Sequence, residues 1–165
     1  MTVMSINKNQ QGFTLIELVA VIVLLGILAV TALPRFMDLR GDARTAVMES
    51  VQGSLQGAAI QVYAKALIQN SLAVTDTVDD NDTLIDTRFG YPRANNVGNE
   101  DIADLIDIQQ SDSDIVWQAG GGINRRIGFD TDGDGNVTDD NCYIQYTNST
   151  AAGVQPEILP FLGDC

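Results

Sequence analysis

From Phe13 to Leu33 the chain runs 21 residues with a single charge, Glu17. At about 1.5 Å rise per residue such a stretch forms a helix of roughly 31 Å, long enough for the hydrocarbon of a bilayer. The pattern then changes. Leu39, Ala43, Val47, Val51, Leu55, Ala59, Val62 and Ala66 recur at three- and four-residue steps, while Arg40, Arg44, Glu49, Gln52, Gln56 and Lys65 fall largely off that line. This is an amphipathic stripe, so one helix is expected from Phe13 to about Ile68, apolar all round at first and on one face later. Gly26 and Pro34 weaken the middle of it, through backbone entropy and a lost hydrogen bond. A kink at Pro34, or loss of helicity over 26–34, is expected there. Gly53 and Gly57, one turn apart, predict close packing against a sheet or a neighbouring helix.

Beyond Asn70 the helical period ends. Residues 71–100 mix Asp with turn formers and read as an irregular surface connection with a short strand at Thr83–Asp86. Ile102, Leu105 and Ile106 behind Glu100 and Asp101 predict a short helix over Asn99–Ile108. Asp114–Ala119, Asn124–Phe129 and Cys142–Tyr146 read as strands between Gly-rich turns, with apolar faces that the helix stripe can cover. Trp117 is expected in the core.

A carboxylate one turn inside an apolar run is costly in a membrane and marks function. Gly12-Phe13-Thr14-Leu15-Ile16-Glu17-Leu18, preceded by a short polar leader with one base, Lys8, resembles the processing site of type IV prepilins. The leader lacks the apolar core of a standard secretory signal. The resemblance implies cleavage between Gly12 and Phe13 by a prepilin peptidase, N-methylation of Phe13, passage through the inner membrane as prepilin, and export into a homo-oligomeric helical filament by pilus assembly machinery. It also implies that Glu17 pairs with the Phe13 amine of a neighbouring subunit, and that Gly26 to Pro34 is the segment that can lose helicity on assembly. The expected fold class is α+β, the type IV pilin fold, with the helix packed on an antiparallel sheet. The expected organisation is a leader at 1–12, a membrane-spanning or filament-core helix half at 13–35, and a globular domain at 36–165.

Further segments narrow the resemblance: Gly26-Ile-Leu-Ala-Val-Thr, Gly41-Asp-Ala-Arg, Val62-Tyr-Ala-Lys-Ala, Phe89-Gly-Tyr-Pro, Cys142-Tyr-Ile-Gln-Tyr-Thr and Gly163-Asp-Cys. These are similar to the mannose-sensitive haemagglutinin (MSHA) type pilins, closely over 13–70 and patchily beyond. The function this implies is that of a major pilin in an extracellular filament used for attachment and biofilm formation. A type II secretion pseudopilin, or a minor pilin acting as tip adhesin, is the alternative.

Charge changes the picture in one half only. The net charge is −13, and residues 71–165 hold eighteen acids against four bases, a net of −14. Nucleic acid, which needs a basic patch, is not an expected partner. There is no His, and no nucleophile–base pair or phosphate loop is visible, so an enzyme is the least expected class. In an exported domain the even pair Cys142 and Cys165 reads as a disulfide.

Asp130-Thr-Asp132-Gly-Asp134-Gly135 matches the first half of an EF-hand loop. Alternate carboxylates in a tight turn can meet at one hard cation, so Ca²⁺ is the expected ligand. Asn136 would add its backbone carbonyl. Asn141 stands where the bidentate Glu belongs, with Asp139 or Asp140 as substitute. Asn81-Asp-Thr83, Asn136-Val-Thr138 and Asn148-Ser-Thr150 fit the N-glycosylation pattern; in a chain this rich in Asn and Thr the sequence alone reads them as coincidence.

Overall fold

The computed structural model describes residues 13–94, 100–106, 108 and 114–165, with the side chains of 31–38 excepted. The chain divides into two compact units, Met1–Arg40 and Gly41–Cys165. The order of elements is a helix α1 (Leu15–Gln69) followed by strands β1 (Asp76–Asp80), β2 (Thr83–Arg88), β3 (Tyr91–Pro92), β4 (Ile115–Ala119), β5 (Asn124–Phe129), β6 (Cys142–Thr147) and β7 (Glu157–Leu162). The architecture is α+β, as expected, with antiparallel sheets following the N-terminal helix. There are two sheets rather than one: β1-β2-β3 and β4-β5-β6-β7, each an antiparallel meander.

The first unit is its part of α1. Its large apolar side chains are exposed, from Phe13 at 91% and Leu15 at 81% to Val30 at 76%. The helix assignment continues through Gly26 and Pro34. Among the described residues no helix is long and apolar enough to cross a membrane. The apolar run at 13–33 extends into 31–38, whose side chains lie outside the described residues.

In the second unit the helix stripe meets both sheets. Met48, Val51, Leu55 and Ala59 pack with Ile127, Ile144 and Tyr146 of the four-stranded sheet. Val62 and Ala66 pack with Val78 and Ile85 of the three-stranded one. The stripe expected from Leu39 thus begins at Met48; Leu39, Ala43 and Val47 are exposed. Gly53 and Gly57, expected to admit a close neighbour, have nothing within 4 Å of where a Cβ would stand. Trp117 is half-buried against the larger core, as expected, and the Arg125 guanidinium carbon lies 5.8 Å from its ring centre.

Residues 76–92 form a sheet where an irregular connection was expected. The end of α1 holds its edge. The Gln69 amide donates to Asp79 O (2.7 Å) and accepts from Asp79 N (3.0 Å), as a neighbouring strand would, and Lys65 pairs with Asp80. Gly90 has φ of +83°, and a Cβ there would stand 2.7 Å from Leu72 Cδ2, so the turn from β2 to β3 requires glycine. The helix expected over 99–108 is absent from its described part: residues 102–105 are turns, and 95–99 and 107 lie outside the described residues. Tertiary pairing overrides the local period. Glu100 bridges Ile85, with Asp86 N donating to Glu100 O at 2.8 Å, and the fully buried Asp101 lies 3.5 Å from Arg125 on β5.

Candidate functional site

Two places carry the residues singled out by sequence. At the N-terminal end of α1, Phe13 and Thr14 precede the first helical residue. The Glu17 carboxylate accepts from both Thr14 N and Thr14 Oγ1, each at 2.8 Å, while Glu17 N donates to Thr14 Oγ1 at 3.3 Å. This is a reciprocal capping box, which satisfies amides that a helix start otherwise leaves unpaired. Sequence reasoning assigned Glu17 and missed Thr14; the Thr-x-x-Glu spacing ahead of an apolar run was the available signal. Gly12 lies outside the described residues. Gly26 is exposed, with no atom near it, and the side chain of Pro34 is not among those described.

The second place is the connection between β5 and β6. Its first residue is tied to the residue before β4, with Asp130 N donating to Asp114 O at 2.7 Å, and Val137 in its second half is fully buried. One oxygen from each of Asp130, Asp132 and Asp134 lies within 4.8 Å of the others. Asp130 accepts from Gly133 N (2.8 Å) and Gly135 N (2.9 Å), and both glycines have positive φ. Asp132 accepts from Asp134 N at 3.2 Å and Asp134 from Asn136 N at 2.7 Å. A carboxylate has about four acceptor positions, so each keeps capacity for a cation.

The remaining expected ligands divide. Asp140 closes the loop by accepting from Thr131 N (3.1 Å) and the Thr131 hydroxyl. Asp139 accepts from Asp140 N at 3.1 Å. The Asn136 amide oxygen is committed to Gln118 Nε2 at 2.8 Å and to Thr138, which leaves the backbone carbonyl as its expected contribution. Electrostatics agree with the crowding. The Asp134 amide pulls the Asp132 pKa down, yet desolvation and the carboxylates of Asp134, Asp139 and Asp140 outweigh it, and the net shift is upward. An all-oxygen set of converging carboxylates fits a hard cation such as Ca²⁺.

Beside this loop, Cys142 and Cys165 form a disulfide with their Cα atoms 4.8 Å apart. Asn141, in the left-handed region at φ 48°, donates its side-chain amide to Asp164 at 2.9 Å and accepts from Asp164 N at 3.3 Å. The C-terminal tail is thereby fastened to the loop's end.

Residues 7–33 match a family described as the prokaryotic N-terminal methylation motif. The chain carries that motif. It is 44% identical over 59 residues to a type IV narrow pilus major component, PilA5, of Thermus thermophilus, covering 36% of this chain and 47% of that protein. It is 35% identical over 82 residues to a fimbrial protein of Pseudomonas aeruginosa, covering 50% of each. It is also 40% identical over 59 residues to the fimbrial protein EcpC of Eikenella corrodens, covering 36% of this chain and 39% of that protein. The chain thus spans about half the length, or less, of the curated relatives it matches. No solved structure matches it.

Proposed function

We propose that the chain is a structural subunit of a type IV pilus, cleaved between Gly12 and Phe13, methylated on Phe13, and assembled through the apolar half of α1. One observation carries this reading: within the segment matching the methylation motif, the described apolar side chains of residues 13–30 are left uncovered, with one carboxylate among them. Burying a Leu, Ile, Val or Phe side chain contributes about 1.5–3 kcal/mol. A row of such side chains is a strong drive to pack, first with lipid and then with the same segment of other copies. The Glu17 carboxylate needs a cation in that setting, and the Phe13 amine of a neighbouring copy supplies one; left unpaired, the charge costs several kcal/mol. Prepilin peptidase and the assembly machinery are the partners this implies, and the extracellular filament is the destination. The similarity of 13–70 to MSHA-type pilins favours a major subunit of that group, used in attachment. Glu17→Ala should still lose residues 1–12 but leave the sheared filament fraction nearly empty of the chain, read by immunoblot. Normal piliation of that variant would remove the pairing argument.

We also propose that the connection between β5 and β6 takes Ca²⁺ through Asp130, Asp132 and Asp134, with Asp139 or Asp140 and the Asn136 carbonyl completing the set. The convergence of the three carboxylates and the upward shift at Asp132 support it. A cation bound by the folded state alone stabilises it by about 2.7 kcal/mol at a hundredfold excess over Kd. Chelation should lower the melting temperature, and Asp132→Ala should abolish the difference. Absence of calorimetric binding at millimolar Ca²⁺ would leave the loop as an acidic turn.

A further inference from the structure

We propose that Asn81 is an acceptor for an N-linked glycan, and that neither of the other two Asn-x-Thr/Ser patterns in the chain is. The pattern alone does not separate Asn81, Asn136 and Asn148; their surroundings do. N-linked transfer requires the asparagine amide nitrogen to reach a bulky donor, so an acceptor must stand at the surface.

Asn148 is 3% exposed, and its amide oxygen accepts from Ala94 N at 2.6 Å. A sugar on its nitrogen would have to displace the core. Asn136 is half-buried, and its amide oxygen is held by Gln118 Nε2 and by both the amide and hydroxyl of Thr138, the third residue of its own pattern. Asn81 differs in its exposure. It is exposed at the tip of the hairpin joining β1 to β2, with φ of 53° followed by Asp82 at 70°, the two left-handed residues of a tight hairpin turn. Its amide nitrogen makes one exposed hydrogen bond, to Asp80 Oδ1 at 3.0 Å. Exchanging that bond for a solvent partner costs little, because water replaces it.

The hairpin is also held from behind. Gln69 pairs with both polar groups of Asp79, Lys65 pairs with Asp80, and Asp82 N donates to Asp79 Oδ1 at 3.0 Å. The tip therefore presents exposed Asn81 from a fixed base, with half-buried Thr83 paired to Asp80 beside it. In the reaction the Asn81 amide nitrogen attacks the anomeric carbon of a sugar carried on a polyprenyl diphosphate. The new N–C bond forms as the C–O bond to diphosphate breaks; the polyprenyl diphosphate leaves with the electron pair, and the amide gives up one proton.

The inference rests on the pilus reading only for export, and one digest of the full exported chain tests the two separately. Trypsin cleavage after Lys65 and Arg88 isolates residues 66–88 with Asn81, and cleavage after Arg126 isolates 127–165 with Asn136, Asn148 and both cysteines. Residues 127–165 recovered as an intact disulfide report export. The expected result is added sugar mass on 66–88 alone, lost in Asn81→Gln and in Thr83→Ala, and kept in Thr83→Ser. An oxidised chain with unmodified 66–88 overturns the proposal. So does sugar on 127–165, or a modification of 66–88 that survives Asn81→Gln and is therefore linked through oxygen.

Discussion

Cutting the link between Cys142 and Cys165 should be among the most damaging single changes to the globular unit. The substitution is Cys165→Ser. Cys142 is 1% exposed and stays in place as a small buried hydrophobe, whereas Cys165 is half-buried, so the change isolates the cross-link rather than a cavity. The two cysteines are 23 positions apart. Closing a loop of that size in the unfolded chain is worth about 3.5 kcal/mol on the chain-entropy account. A second contribution is local. With the tail free, the bonds between Asn141 and Asp164 hold two surface residues without a covalent partner, and each is worth about 1 kcal/mol or less. For a unit of this size, about 3.5 kcal/mol corresponds to a fall in Tm of roughly 10–20 °C. The assay is urea unfolding of residues 41–165, oxidised wild type against Cys165→Ser, with reduced wild type as the control. A loss below about 1 kcal/mol, or an unchanged urea midpoint in the reduced protein, would refute the reasoning that the tail is held mainly by this bond.

Four other outcomes follow from the same contacts. Gln69→Ala removes both bonds to Asp79 and should cost about 1–3 kcal/mol, with the Asp79 amide losing hydrogen-exchange protection first. Thr14→Ala removes the helix cap and should cost about 1 kcal/mol of local helix stability, seen as faster exchange over the first turn of α1. Tyr146→Phe leaves the Pro92 carbonyl, which the buried Tyr146 hydroxyl now satisfies at 2.7 Å, without that donor; unfolding should show a loss of about 1–3 kcal/mol. Asp132, whose pKa is raised, binds its proton more tightly in the folded chain than in the unfolded one. Its ionisation therefore destabilises the calcium-free fold as pH rises from its ordinary value through the raised one. Calcium should reverse that trend, so chelated and calcium-loaded Tm curves should converge as pH falls through that range.

The long helix, the strands at 124–129 and 142–147 and the acidic loop were legible because each carries a strong local signal. Val51, Leu55, Ala59, Val62 and Ala66 keep helical spacing without interruption, and all five are buried. The strands that were not legible lack such a signal. In Asp-Thr-Val-Asp-Asp of β1 only Val78 is fully buried, so one apolar residue stands for a whole strand. The sequence of β7 contains Pro160, which argues against a strand except at an edge, and β7 is the edge of its sheet. The helix anticipated near Ile102 lost to pairing with distant partners, Ile85 and Arg125, that no local window contains. At the candidate sites the cluster of Asp130, Asp132 and Asp134 and the cysteine pair could be read directly. The contacts of Gln69 and the burial of Val137 depend on which surfaces the fold brings together.

Mass spectrometry of the chain's N-terminal peptide, taken from filaments sheared off intact cells, tests the central claim most directly. The account predicts that the peptide begins at Phe13, carries one methyl group on its amine, and is abundant in the filament fraction. A chain that still begins with residues 1–12, or that is absent from the filaments while present in the cell, would contradict it.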